Sequence, residues 1–183
     1  MTDRMLVIVD YQVDFVNGTL GFAGAEKLDA GIAEKLRQAA VDGDIIVITR
    51  DTHHEDYLQT REGKSLPVVH CVYGQPGWEL YGQTRKEVEK LTEAGYPDLV
   101  ILDKETFGVS PQMMAAVLSR YSVHRVEFAG LVTNMCVAAN VCCFQACFPG
   151  AQMAVYAALC ASFDPELHDR TLDVLRGMQV EII

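Results

Sequence analysis

A chain of 183 residues, half of them hydrophobic and 22% charged, has the balance of one globular domain with a sizeable core rather than of a disordered segment. The formal net charge of −10 and a pI near 4.8 argue against nucleic acid and anionic membranes as partners, because both need a basic patch. The first apolar run, Met5 to Val9, is too short for a signal-peptide core, and no segment approaches the ~20 apolar residues that span a bilayer, so a cytoplasmic location is expected.

Apolar, β-branched runs then alternate with helical patterns along the chain. The first run predicts a strand over Met5–Asp10, followed by a helix over Glu26–Val41 and a second strand over Asp44–Arg50. The irregular stretch from Asp51 to Gly82 comes next, and in a domain this small it is expected to carry function. A helix over Gln83–Ala94, a strand over Leu99–Asp103 and a helix over Pro111–Tyr121 follow. Beyond them lie a strand over Arg125–Gly130, a helix over Asn134–Cys147, a strand over Gln152–Ala157, a helix over Pro165–Met178 and a strand over Gln179–Ile183. Two helix starts are signed by a capping side chain before a proline, Ser110-Pro111 and Asp164-Pro165. Hydrophobic strands alternating with helices predict a single three-layer α/β domain with a six-stranded parallel sheet and helices on both faces. The six cysteines, without a secretory signal, read as reduced thiols, and Cys142, Cys143 and Cys147 are expected to be buried packing on one helix.

In open parallel α/β sheets ligands bind beyond the carboxyl ends of the strands. The predicted strand ends carry Asp10, then Asp51-Thr52-His53, then Asp103-Lys104, and finally the run from Gly130 to Cys136. Cys136 falls in the first turn of the following helix, with Thr133 or Asn134 as its cap. There the helix dipole and unpaired backbone N–H groups favour a thiolate and can hold an oxyanion. Lys104 would add to that stabilisation, and Asp10 can accept and return a proton. On position alone, Cys136 can also be core packing, with Lys104 and Asp10 as solvated loop charges.

The segment Gly130-Leu131-Val132-Thr133-Asn134-Met135-Cys136-Val137 resembles the signature of the isochorismatase-like cysteine hydrolases, which include the nicotinamidases. Asp10-Tyr11-Gln12-Val13-Asp14-Phe15, His70-Cys71-Val72 and Lys104-Glu105-Thr106-Phe107-Gly108 resemble that superfamily's first, central and lysine loops, in family order. The resemblance implies Asp10, Lys104 and Cys136 as a catalytic triad. It also implies a cis peptide at Val132–Thr133 that helps aim backbone N–H groups into an oxyanion hole with Cys136. Asn134 replaces the aspartate common at its position.

Asp51 and His53 alternate along one extended segment, and His70 arrives from the long loop, a set that suits Zn, Fe or Mn. The resemblance to metal-dependent nicotinamidases strengthens that site. Gln59 stands where many of them carry a further histidine, so Glu62 is expected as the fourth ligand, with His54 and Glu55 as adjacent rivals. His124 and His168 read as surface residues. The family's reaction is deamidation through a thioester, with nicotinamide as the leading substrate and Phe15 and Phe107 as aromatic surface against its ring; Phe15 can equally be a core plug. The aliphatic run Leu66-Pro67-Val68-Val69 before His70 departs from the aromatic residue often found there. It keeps open an amidase or carbamoyl hydrolase of another small substrate. Isochorismatase cleaves a vinyl ether and needs no such metal site. A phosphate-accepting receiver would pair two acids after the first strand and follow its lysine with proline, and a dinucleotide fold would carry G-x-G-x-x-G; neither pattern is here. Relatives are commonly dimers or tetramers, so a homo-oligomer is expected.

Overall fold

The computed structural model describes residues 3–183. In chain order the main elements are β1 (Arg4–Val9), α1 (Asp29–Asp42), β2 (Ile45–Asp51), α2 (Gly82–Glu93), β3 (Leu99–Lys104) and α3 (Pro111–Arg120). β4 (Arg125–Leu131), α4 (Ala138–Cys147), β5 (Gln152–Ala161), α5 (Pro165–Gly177) and β6 (Glu181–Ile182) complete the alternation. All six strands are parallel, in the order β3-β2-β1-β4-β5-β6. The chain winds outward from β1 through β2 and β3, crosses back to β4, and winds the other way. The switch point therefore lies between β1 and β4, where such sheets open a crevice at the strands' carboxyl ends.

Side chains alternate across the sheet, so each strand feeds two cores. Met5, Val7, Val47, Phe128 and Val155 face Met114 and Val117 of α3, Val141 and Phe144 of α4, and Leu172 and Leu175 of α5. Leu6, Ile8, Ile46 and Ile48 face Ile32 and Leu36 of α1 and Val88 of α2. Burial on both faces explains why these strands read as unbroken apolar runs. At the crevice β1 and β4 approach closely at Gly130 (φ +123°), where a Cβ would stand 2.0 Å from the Val9 carbonyl oxygen. Only glycine fits there.

The predicted elements differ from the structure at their ends. β5 runs four residues past Ala157 because of an irregularity: Phe128 pairs with Val155, whereas Gly130 pairs with Cys160, so β5 carries extra residues against β4. β6 is shorter than expected, because Gln179 takes φ +68° as the chain leaves α5 and cannot extend. The helix expected over Glu26–Val41 begins as a 3₁₀ turn at Ala25–Leu28, and α4 is preceded by a π-type turn, Thr133–Val137. Ser110 and Asp164 cap as predicted, accepting from the Met113 amide and from the Glu166 and Leu167 amides respectively. Cys142 is exposed, a correction to its expected burial, whereas Cys143 and Cys147 are half-buried and pack against the core. Among the described residues no helix is long and apolar enough to cross a membrane.

Candidate active site

The parallel register sets Lys104, the last residue of β3, beside Asp51, the last residue of β2. Asp10 leaves β1 with φ +46°, a conformation costly for a non-glycine residue and typical of functional positions. Its Oδ1 accepts from Thr49 Oγ1 at 2.7 Å. Lys104 Nζ lies 2.6 Å from Asp10 Oδ2, 3.4 Å from Asp51 Oδ1 and 3.7 Å from Cys136 Sγ. Asp10 and Lys104 are fully buried, and Oδ2 meets the ammonium as an ion pair without an aligned hydrogen-bond donor. The three residues expected from the strand ends thus form one cluster.

Burial opposes the charge on each of these groups, and their mutual fields decide the outcome. Burial raises the Asp10 carboxyl, with Lys104 pulling it back and Asp51 adding to the rise. Burial works against the Lys104 ammonium, but Asp10, Cys136 and Asp51 together hold it protonated. Burial also pushes the Cys136 thiol well above its usual range, Lys104 opposing and Asp10 reinforcing. Burial thus works against the thiolate expected from the helix terminus, while Lys104 favours it.

Two further details of the Cys136 turn differ from expectation. The cis peptide joins Leu131 to Val132, one bond earlier than expected. Val132 occupies the N-cap position, and neither Thr133 nor Asn134 caps the turn. Instead Thr133 Oγ1 and His168 Nδ1 share a hydrogen bond of 2.8 Å, and Asn134 Oδ1 accepts from Ser162 Oγ at 2.7 Å. His168, half-buried, is therefore a brace of this turn and not a surface residue. His124 is exposed, 3.8 Å from Asp3.

Asp51, His53, Glu62 and His70 each offer a ligand atom within 4.8 Å of the others. His53 Nε2 and His70 Nε2 stand 3.1 and 3.3 Å from Asp51 Oδ2, and Glu62 Oε1 stands 3.7 Å from His53 Nε2. The Val68 carbonyl can only accept, so at 2.7 Å it fixes the proton on His70 Nδ1 and turns the Nε2 lone pair inward. His53 Nε2 is buried without a hydrogen-bond partner. Inward imidazole nitrogens around carboxylates, one of them orphaned, fit a divalent transition metal. Burial raises Asp51 but Lys104, His53 and His70 outweigh it and hold the carboxylate well below its usual range. Burial, then the Asp51 charge, raise Glu62. Tyr57 packs on both imidazoles, with ring centroids 4.4 and 5.0 Å away. The rivals His54 and Glu55, like Gln59, are exposed and stand apart.

A cavity of about 390 Å³ opens onto both clusters, with Cys136, Asp51, Glu62 and His70 among its polar lining and Phe15, Phe107, Leu66, Met135 and Phe163 among its apolar walls. Both predicted aromatic residues line it. Phe163, which sequence reasoning missed, supplies an aromatic side chain from the β5–α5 connection, although none precedes His70. Gln12 was also missed: fully buried, its side chain accepts from the Asp51 amide at 2.7 Å and donates to the Asp51 and Trp78 carbonyls. With Asp10 and Asp14 two residues to either side, Gln12 carried no sequence signal of its own for this role.

The isochorismatase domain model matches residues 4–183. Among solved structures, pyrazinamidase/nicotinamidase of Streptococcus mutans superposes with a TM-score of 0.88 at 26% identity, covering 98% of this chain and 99% of that one. Pyrazinamidase of Pyrococcus horikoshii in complex with zinc gives 0.81 at 26% identity, covering 99% and 98%. N-carbamoylsarcosine amidase of Thermoplasma acidophilum gives 0.73 at 18%, covering 100% and 95%, a likeness of fold alone. No curated protein matches the chain in sequence. With the domain model spanning the whole sheet and every residue of both clusters, the chain belongs to the isochorismatase family of hydrolases.

Proposed function

We propose that this protein is a cysteine hydrolase of small neutral amides, and that it converts nicotinamide to nicotinate and ammonia. The observation that carries this reading is the buried Asp10–Lys104–Cys136 cluster opening onto an aromatic-walled cavity that also displays Asp51, Glu62 and His70. Cys136 transfers its proton to Asp10 as sulfur attacks the carboxamide carbon, and backbone N–H groups of the Val132–Cys136 turn, including that of Thr133, hold the oxyanion. Collapse breaks the C–N bond, with the nitrogen taking the proton from Asp10 and leaving as ammonia. Water then loses a proton to Asp10, attacks the thioester, and the sulfur leaves with that proton restored. Lys104 stays protonated throughout and keeps the charges on Asp10 and sulfur tolerable in a dry site.

Asp51, His53, Glu62 and His70 would hold a zinc, iron or manganese ion, which would supply a Lewis acid for a ring nitrogen. Phe15 and Phe107 present apolar faces to such a ring. The cavity lining contains no arginine and no lysine. A dicarboxylate such as isochorismate, or a carbamoyl amino acid, would find no arginine or lysine in these walls to pair with its carboxylates. A neutral heteroaromatic amide suits these walls better.

Ammonia release from nicotinamide and benzamide tests the reading, since benzamide keeps the amide and lacks the ring nitrogen. Nicotinamide is expected to have a kcat/KM at least about tenfold higher. Equal values would remove the ring-nitrogen contact. No ammonia from either, with turnover of an aliphatic amide, would remove nicotinamide and keep the cysteine chemistry.

A further inference from the structure

Asn140 lies in α4, four residues after Cys136, between Ala139 and Val141 in an otherwise apolar segment. It is fully buried. Its side chain spends itself on three backbone groups of two different elements. Oδ1 accepts from the Val109 amide at 3.1 Å, while Nδ2 donates to the Phe107 carbonyl at 3.1 Å and to the Cys136 carbonyl at 2.8 Å. A carboxamide is the uncharged side chain of this length that can accept once and donate twice; aspartate would lose both donors and set a charge against two carbonyls. Phe107 and Val109 belong to the loop that follows Lys104, and Phe107 is a wall of the cavity. The loop is pressed onto α4 at Gly108, where a Cβ would come 2.8 Å from Cys143 Sγ.

We propose that Asn140 is a positioning residue that clamps the Phe107 loop to the Cys136 turn and so sets where a substrate ring sits relative to the nucleophilic sulfur. The proposal rests on reading this cavity as the site of amide hydrolysis. Without the clamp, the loop keeps the packing of Val109 in the core and of Gly108 on α4 but loses its hydrogen bonds to the helix, and the ring wall can shift relative to the sulfur. Positioning of this kind acts on ring-bearing ligands and leaves the sulfur's own reactivity alone.

Asn140→Ser separates the two links, because a helical serine hydroxyl donates back to the carbonyl four residues earlier, here Cys136, while releasing Phe107 and Val109. For nicotinamide the variant is expected to lose about tenfold in kcat/KM, chiefly through KM. Phe107→Ala should cause a similar loss, and the double variant should lose no more than Phe107→Ala alone. A second readout needs no substrate assignment: the rate of Cys136 alkylation, by mass spectrometry, with N-phenyliodoacetamide and with iodoacetamide. Asn140→Ser should lower the phenyl-to-parent rate ratio about tenfold with the iodoacetamide rate unchanged. Additive losses in the double variant, or an unchanged alkylation ratio, would overturn the clamp; so would a uniform fall in both alkylation rates that tracks a lower folded fraction. If the wild type releases no ammonia from nicotinamide, the substrate assignment fails while the alkylation ratio still decides the role of Asn140.

Discussion

Cys136 is only 4% exposed, and that small area faces the cavity in front of the buried Asp10–Lys104 pair. Truncating it therefore extends an existing cavity and opens little new void in the core. Cys136→Ala is expected to abolish turnover, by about 10³-fold or more, and to move the thermal midpoint by less than about 4 °C. Activity assays and calorimetry check both halves. Lys104→Ala should behave differently, costing about 3–5 kcal/mol of stability, because it strands Asp10 as a buried unpaired charge. A second prediction at this scale concerns pH. Asp10 must be ionised to take the thiol proton, and burial lifts its carboxyl above the ordinary 3.8. Activity should therefore be lost, as pH falls, at a midpoint above that value. Thr49 Oγ1 donates to Asp10 and favours its charged form, so Thr49→Val should shift the acid limb of kcat/KM to higher pH. A limb that stays put, or moves down, would remove Asp10 as the titrating base.

Among the elements, the candidate metal centre joins a rigid part to an irregular one. Asp51 closes β2, and His53 follows it, bonded through backbone to the segment around Cys71 and Tyr73. Glu62 rides on a single helical turn, Arg61–Ser65, capped by Thr60, while His70 is turned by the Val68 carbonyl. Protein purified without chelator is expected to carry up to about one equivalent of zinc, iron or manganese by elemental analysis. His53→Ala or His70→Ala should strip it, whereas His124→Ala, remote from the cluster, should not. Because the ion binds only the folded arrangement, a chelator should lower the thermal midpoint of the wild type and leave that of His53→Ala unmoved. Unchanged metal content in both histidine variants would sink the site.

At the scale of the whole molecule, α1 and α2 cover one face of the sheet and α3, α4 and α5 the other, yet the same strands supply both cores. Neither layer can melt without exposing apolar residues of β1, β2 and β4. Unfolding in denaturant is therefore expected to be a single cooperative transition. The one tryptophan, Trp78, belongs to the core cluster on the α1–α2 face of the sheet, with Arg50 over its ring, so its fluorescence follows one layer while far-UV circular dichroism follows the entire fold. Coincident curves are expected; separated midpoints would divide the chain into two independent units.

The amino-acid sequence by itself determined the alternation of strands and helices, the parallel sheet, and which strand ends carry Asp10, Asp51, Lys104 and Cys136. These follow from periodicity and burial, which are local and repeat over many residues. The helix starts at Ser110 and Asp164 were legible for the same reason, since a cap acts within three residues of itself. Tertiary structure alone decided the length of β5, the exposure of Cys142, and the upward push on the Cys136 thiol. The last depends first on burial by elements distant in the chain, and then on Asp10, which arrives from β1, 126 positions earlier, and reinforces it. Likewise Phe163 in the cavity wall, His168 on Thr133 and Asn140 between two loops carry no local pattern. Each acts on a partner that only the packing of distant elements brings within hydrogen-bonding or van der Waals range, and single-chain periodicity contains no term for such a meeting.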